Sequence, residues 1–253
     1  MIRVAVQGAC GKMGREVVKA VSSAQDMELV GACDVIPADD IGVAVEADFE
    51  SMLNHSKPNI VVDFAKPFVM ANARGAIERG IAPIIGTTGL TDEELAELTK
   101  LSESKGVCAM VIPNFAIGAV LMMRFAAEAA RYMPNVEIIE LHHDKKIDAP
   151  SGTAIKTAAM IDESRRAAGV KADEPAGGDD PARGEKIDGI NIHSVRLPGL
   201  VAHQEALFGG PGQMLTIRHD SIDRTSFMPG VLMAIRYASQ AAGFVYGLDQ
   251  LLH

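Results

Sequence analysis

The chain has 253 residues, a net charge of −9 and 48% hydrophobic residues, with no Trp and only 4% aromatics. That is enough for one large domain or two modest ones, with a core built from Ile, Val, Leu, Met and Ala. The acidic balance disfavours non-specific binding to nucleic acid or anionic membranes, which needs clustered cations. No apolar run approaches the ~20 residues of a bilayer span. The chain opens directly into a strand-like segment, with no basic leader and apolar stretch ahead of it. A cytoplasmic location, with no membrane and no nucleic-acid partner, is therefore expected. Cys10, Cys33 and Cys108 are odd in number and scattered. They suit neither a disulfide framework nor a zinc-type C-x-x-C spacing, and reduced thiols with no metal site are expected.

Taken in order, residues 2–6 read as a short strand, followed by a glycine-rich turn over 8–14. Residues 13–23 read as a helix with Val17, Val18 and Val21 on one face. A second strand over 28–33 ends at Asp34. Residues 60–64 form a nearly unbroken apolar strand, and 70–79 a helix stopped by Gly80. Residues 81–85 are a further strand, closed by Gly86-Thr87-Thr88-Gly89. Thr91 with Glu94 three residues on is a capping-box pattern, opening a helix that runs to Gly106. Residues 107–112 follow as a strand. Strands apolar on both faces, alternating with helices, indicate an α/β domain with a doubly wound parallel sheet of Rossmann type.

The rhythm changes after that. A helix is expected over 117–131, a strand over 136–143 and a helix over 153–168 ending at Gly169. Residues 170–186 are rich in Gly, Pro and Asp and read as a long surface loop. Segments 190–197, 201–208 and 214–219, separated by tight turns, suggest an antiparallel meander. A last helix covers 230–242. The expected organisation is a dinucleotide-binding domain over 1–113 and an inserted α+β domain over 114–224, carrying a mixed or antiparallel open sheet. A C-terminal helix within 225–253 then returns to the first domain.

The turn Gly8-Ala9-Cys10-Gly11-Lys12-Met13-Gly14 joins a strand to a helix. Unpaired amides and the helix dipole favour an anion there, and glycine lets a pyrophosphate approach. The spacing is G-x-x-G-x-x-G rather than G-x-G-x-x-G, so the motif alone also fits a glycine turn that holds no dinucleotide. Asp34, about 20 residues on at a strand end, adds an acceptor for an adenosine ribose. Its carboxylate repels a 2′-phosphate, which favours NADH. Lys12 can pair with that phosphate, so NADPH is also admitted. Gly86-Thr87-Thr88-Gly89 and Ile112-Pro113-Asn114-Phe115 close two later strands, where ligands of open α/β sheets bind, although ordinary turn chemistry explains each one alone.

The segment 140–154 carries two His and two Lys before a helix start capped by Ser151, with Gly152 behind it. Such a terminus suits a carboxylate or phosphate. Lys146 adds a positive charge, and His142 is a proton carrier near neutral pH. A reductase of a carboxylated imine or enamine needs these parts. A solvated strand-to-helix connection is the plainer reading. A metal held by His142, His143 and Asp144 is disfavoured, because adjacent strand residues point to opposite faces.

This segment, Glu140-Leu141-His142-His143, then Lys146, then Asp148-Ala149-Pro150-Ser151-Gly152-Thr153-Ala154, resembles the signature of the 4-hydroxy-tetrahydrodipicolinate reductases, also called dihydrodipicolinate reductases. The resemblance continues through residues 8–14, Asp63-Phe64, 86–89, Pro113-Asn114-Phe115, 194–199, His203-Gln204-Glu205, Phe208-Gly209, His219, Ser221, Arg224 and Phe227. It implies an NADH- or NADPH-dependent enzyme of lysine and diaminopimelate biosynthesis. It implies His142 as catalytic acid/base and Lys146 as proton donor and carboxylate partner. His143, Gly152, Thr153 and Thr88 would bind the small dicarboxylate substrate. Gly8, Ala9, Cys10, Gly11, Lys12, Met13, Asp34, Gly86, Thr87, Thr88, Ile112, Pro113, Asn114 and Phe115 would line the cofactor. It further implies a homotetramer built on the second domain's open sheet. Two departures bear on the cofactor. Ala65 stands where the family often has Thr or Ser, and Val35 where members using NADPH often have Arg. The alternative reading is another NAD(P)-dependent dehydrogenase of a small carboxylated substrate.

Overall fold

The structure, a computed structural model, describes residues 1–173 and 180–252. The chain divides into two compact units, residues 1–115 with 227–253, and residues 116–226.

Unit 1 opens with β1 (Ile2–Gln7), α1 (Lys12–Ser23), β2 (Met27–Cys33), β3 (Val45–Glu46), α2 (Phe49–Ser56) and β4 (Ile60–Asp63). It continues with α3 (Val69–Glu78), β5 (Ala82–Ile85), α4 (Asp92–Lys105) and β6 (Cys108–Val111). All residues of β4, β5 and β6 are buried, as expected of strands covered on both faces. Each fully buried Ile, Val or Met there contributes about 1.5–3 kcal/mol. Helix α1 turns Val17, Val18 and Val21 inward. Helix α4 starts on the full Thr91–Glu94 capping box and ends at Gly106 in the left-handed conformation. Helix α2, not anticipated above, is capped by the Asp48 side chain, which accepts the Ser51 amide at 2.8 Å.

The segments α5 (Ile117–Ala129), β7 (Asn135–His142), α6 (Gly152–Ala168), β8 (Glu185–Ile187), β9 (Ile190–Arg196), β10 (Ala202–Gly210) and β11 (Gln213–Ser221) belong to unit 2. The chain then returns to unit 1 with α7 (Met228–Ala238) and β12 (Gly243–Tyr246). The parallel sheet of unit 1 has the order β12-β6-β5-β4-β1-β2-β3. Its strand order reverses at β1, which lies between β2 and β4, so the crevice at the carboxyl ends of β1 and β4 is the topological switch point. Helix α7 packs on α1 within unit 1. A Cβ on Gly230 would lie 2.0 Å from the Phe115 carbonyl oxygen, so the start of α7 sits directly on the segment after β6. The C-terminal segment is more than a helix, because β12 extends the sheet in parallel beside β6.

The sheet of unit 2 has the order β11-β10-β7-β9-β8 and is mixed. The meander expectation is corrected here. Strands β9 and β10 follow one another in sequence but do not pair. Strand β7 lies between them, parallel to β9 and antiparallel to β10. Strands β10 and β11 do form the expected antiparallel hairpin, while β7 pairs along both edges and so takes the centre of the sheet. Helix α6 covers it with Ala154, Ala158 and Ile161. The loop expectation over 170–186 is also corrected at its end. Residues 181–183 form a 3-10 turn, and 185–187 are the edge strand β8, antiparallel to β9. Residues 174–179 of that loop lie outside the described residues.

Candidate active site

In unit 1 the residues expected around a dinucleotide lie along one edge of one sheet. The turn after β1 carries Gly8, Ala9, Cys10 and Gly11, and α1 begins with Lys12 and Met13. Asp34 follows β2, Gly86, Thr87 and Thr88 follow β5, and Ile112, Pro113, Asn114 and Phe115 follow β6. Ala9, Thr87, Ile112 and Phe115 are buried, whereas Lys12 and Thr88 are exposed.

The glycines of the turn have separate reasons. Gly8 has φ +76°, a region that favours glycine. A Cβ on Gly14 would lie 2.0 Å from the Gly8 carbonyl oxygen, so only glycine lets α1 start so close beneath the turn. Gly11 caps α1 without a side-chain hydrogen bond, and the first turn holds no acidic residue. The leading amides therefore remain available to an anion and lack a competing carboxylate.

Asp34 is tied to this turn. One carboxylate oxygen accepts the Cys10 amide at 2.9 Å and the other the Ile36 amide at 3.1 Å. Each oxygen keeps a lone pair for a ribose hydroxyl. Sequence reasoning did not single out Arg15, which donates through Nε to the Cys10 carbonyl at 3.2 Å and pairs with Asp40 at 2.6 Å. At the switch point Asp63 is buried and pushed up to about 6 by desolvation. It accepts the Ala65 amide at 2.8 Å and the Asn72 side chain at 3.2 Å, and so shapes the turn after β4. Gly86 leaves room for the Phe64 ring, which a Cβ would meet at 2.2 Å. That ring lies 5.6 Å from the Phe115 ring.

None of the three cysteines is bonded to another. Burial pushes the Cys33 thiol up to about 12 and the Cys108 thiol up to about 11, so both stay protonated.

Unit 2 gathers His142, His143, Lys146, Gly152 and Thr153 at the end of β7 and the start of α6. Thr88 belongs to unit 1 with the nucleotide turns. Glu140 and His142 lie two residues apart and share the α6-facing side of β7. Glu140 is fully buried. His142 Nδ1 donates to its Oε2 at 2.5 Å. Arg196, in register with His142 on β9, grips the same carboxylate with two nitrogens at 2.8 and 2.7 Å. The Ser151 amide donates to Oε1 at 3.2 Å. Burial pushes the Glu140 carboxyl up, but the bonds from His142, Arg196 and Ser194 outweigh it and hold it at about 2.

The same arginine donates to the Asp148 carbonyl at 2.8 Å. The Asp148 carboxylate takes the Lys146 ammonium at 2.9 and 2.8 Å. Ser151 caps α6 by accepting the Ala154 amide at 3.2 Å. A Cβ on Gly152 would meet no protein atom within 4 Å, so the space over this helix start is open. The base of α6 is pinned to β10 by Gln204, which donates to Thr157 at 2.8 Å. Glu140 and Arg196 carried no role in the sequence reading. The available signal was Glu140 itself, a carboxylate on the strand face that otherwise carries Val136 and Ile138. Among the described residues, no group of three or more His, Cys, Asp or Glu is placed to hold a metal, and no helix is long and apolar enough to cross a membrane.

A doubly wound sheet with an anion-receptive glycine turn tied to a carboxylate at the end of the second strand, joined to a second unit with a histidine and a lysine at a helix start, defines a nicotinamide-dependent oxidoreductase. Residues 2–115 match the N-terminal family of dihydrodipicolinate reductase, and residues 118–252 the C-terminal family. The chain is 51% identical over 264 residues to the 4-hydroxy-tetrahydrodipicolinate reductase of Syntrophomonas wolfei, covering 99% of this chain and 98% of that one. It is 48% identical over 262 residues to the enzyme of the same name from Listeria welshimeri, covering 99% and 100%. Among solved structures, the dipicolinate-bound dihydrodipicolinate reductase of Paenisporosarcina sp. TG-14 superposes over 100% of both chains, with a TM-score of 0.88 and 47% identity. The chain belongs to the dihydrodipicolinate reductase family.

Proposed function

We propose that His142 and Lys146 carry the proton chemistry of this family's reaction, with the start of α6 as the carboxylate site. The chain catalyses the NAD(P)H-dependent reduction of 4-hydroxy-tetrahydrodipicolinate to tetrahydrodipicolinate, with loss of water, in lysine and diaminopimelate biosynthesis. The observation that carries the residue assignment is the joint placement of an oriented imidazole, an ammonium and a capped helix start in unit 2.

The amides at Gly152 and Thr153, the α6 dipole and Lys146 bind the two carboxylates of the ring, with His143 as a further polar contact. The amides of α1, the Gly8–Cys10 turn, Asp34 and the turns after β5 and β6 hold the dinucleotide. The reduced nicotinamide, when bound, supplies a hydride. His142, held at Nδ1, presents Nε2 for proton exchange, and Lys146 delivers a proton to the substrate. The proton and hydride taken up, with the hydroxyl released as water, balance the reduction. Asp34 and the uncharged Val35 favour NADH, while Lys12 admits NADPH.

The family assignment further supports a homotetramer built on the open face of the unit 2 sheet. There Ile139, Leu141, Val195 and Leu207 are only half-buried. It also supports a small dicarboxylate as partner rather than nucleic acid, and a cytoplasmic site of action. A coupled assay with freshly prepared substrate tests the central reading, together with nucleotide titration in the presence of pyridine-2,6-dicarboxylate. Turnover and a tighter ternary complex are expected. Nucleotide binding with neither would overturn it. Sedimentation equilibrium tests the tetramer.

A further inference from the structure

We infer that Glu140 is the positioning residue of the reaction. It fixes His142 as the Nδ1–H tautomer and, through Arg196 and the Ser151 amide, anchors the loop that carries Lys146. The inference rests on the reading of His142 and Lys146 as the proton-handling pair.

Four groups meet on this one carboxylate, the Ser194 side chain among them. His142 donates to one oxygen at 2.5 Å, Arg196 bridges both oxygens, and the Ser151 amide reaches the second. A neutral imidazole has one N–H. With that hydrogen committed to a buried carboxylate at Nδ1, Nε2 is left as the nitrogen that accepts or gives a proton. The carboxylate stays ionised because its bonds overcome its burial. The charged groups linked to this imidazole are Glu140 on its own strand, Arg196 on β9, and Lys146 and Asp148 in the following loop. Arg196 offsets the Glu140 charge and, by donating to the Asp148 carbonyl, holds the residue whose carboxylate carries Lys146. One buried side chain thus sets both the tautomer of the histidine and the place of the lysine-bearing loop. A carboxylate doing only structural work has no need to contact the imidazole.

The test is a long-range 1H–15N spectrum of the full-length protein labelled at histidine, with His142→Asn used for assignment. The wild type is expected to show the neutral His142 ring protonated at Nδ1, with Nε2 bare. Glu140→Gln is expected to weaken the preference for the Nδ1–H tautomer of His142 by about tenfold, because a neutral amide oxygen is a poorer acceptor than a carboxylate. It is also expected to lower kcat by about 10–100-fold, with a smaller change in KM. Glu140→Gln leaves Arg196 as an unmatched, largely buried cation and risks the fold. Glu140→Gln/Arg196→Met, which removes both charges, is therefore measured beside it. A wild-type His142 in the Nε2–H form would overturn the inference. So would either variant, folded, with wild-type kcat and an unchanged His142 tautomer. The spectra need no substrate. If the wild type fails to turn over the substrate, the functional reading falls while the tautomer result still decides the role of Glu140.

Discussion

Lys146 and Asp148 are joined through both carboxylate oxygens, at 2.9 and 2.8 Å. The ammonium holds the Asp148 carboxyl below the usual carboxylate range. If Lys146 is the carboxylate partner proposed above, a dicarboxylate substrate must share or draw away this cation, and both binding and proton delivery depend on it. Lys146→Ala is expected to raise KM and lower kcat, with kcat/KM down by about 10²–10⁴. Lys146→Arg keeps the charge but holds its proton too tightly to release it. It is expected to restore KM and leave kcat low. Steady-state rates over a substrate series check this, and a Lys146→Arg enzyme with wild-type kcat would remove lysine from the proton path.

His142 separates from Lys146 in the same assay. Its imidazole is only 14% exposed and spends Nδ1 on Glu140, so it has one nitrogen left for chemistry. His142→Ala is expected to lower kcat by about 10²-fold while KM changes by about threefold or less. An equal loss in binding would instead make His142 a substrate contact.

The contrast between these two residues and Glu140 shows what the sequence disclosed. The all-buried strands β4, β5 and β6, the Thr91 capping box and the Ser151 cap follow from local rules and are legible one segment at a time. The Gly8 turn and Asp34 stand out as a strand–turn–helix pattern with an acidic residue about 20 positions on, and the structure joins the two through the Cys10 amide. The place of β7 between β9 and β10 was not legible, because nearness in sequence favours a hairpin while β7 joins both strands across more than 45 residues of chain. Strands β3 and β12, of 2 and 4 residues, are too short to show a period. The Glu140–Arg196 pair joins residues separated by 56 positions, and only the β7–β9 register brings them together.

The proposed role of Asp34 in cofactor choice is testable, because its carboxylate already pins the Cys10 amide of the glycine turn. Asp34→Ala removes an acceptor for the ribose and a negative charge that opposes a 2′-phosphate. NADH is expected to bind about tenfold more weakly, the equivalent of about 1.4 kcal/mol. NADPH is expected to lose less, so the ratio of the two dissociation constants moves toward NADPH. Fluorescence titration with each nucleotide checks this, and an unchanged ratio would place Asp34 outside the ribose site.

Asp63 gives the stability a pH dependence of known sign. Desolvation raises its carboxyl from 3.8 to about 6 in the folded chain, so the folded state binds the proton more tightly than the unfolded state. The stabilisation this provides is complete below about pH 4 and is lost as pH rises to about 6. A shift of about two units corresponds to about 3 kcal/mol at most. Asp63→Asn has no proton to lose. Its urea midpoint is expected to decline less than that of the wild type between pH 4 and pH 7. Parallel declines in the two proteins would show that Asp63 titrates normally.

Gly14 tests the nucleotide turn by shape alone. Its missing Cβ would sit 2.0 Å from the Gly8 oxygen and 2.8 Å from the Ala9 Cα, both backbone atoms that cannot rotate aside. Gly14→Ala must therefore push α1 away from the turn or displace the turn itself. Either movement spoils the array of amides facing the pyrophosphate and strains a packed core, with a stability loss of about 1–3 kcal/mol. Gly152→Ala is the control, because its Cβ meets no protein atom within 4 Å and Gly152 belongs to the other unit. The first variant is expected to lose NADH affinity and the second to keep it while weakening the substrate. Calorimetric titration of both with NADH decides the matter, since equal NADH binding would mean the close approach of α1 is not what shapes the cradle.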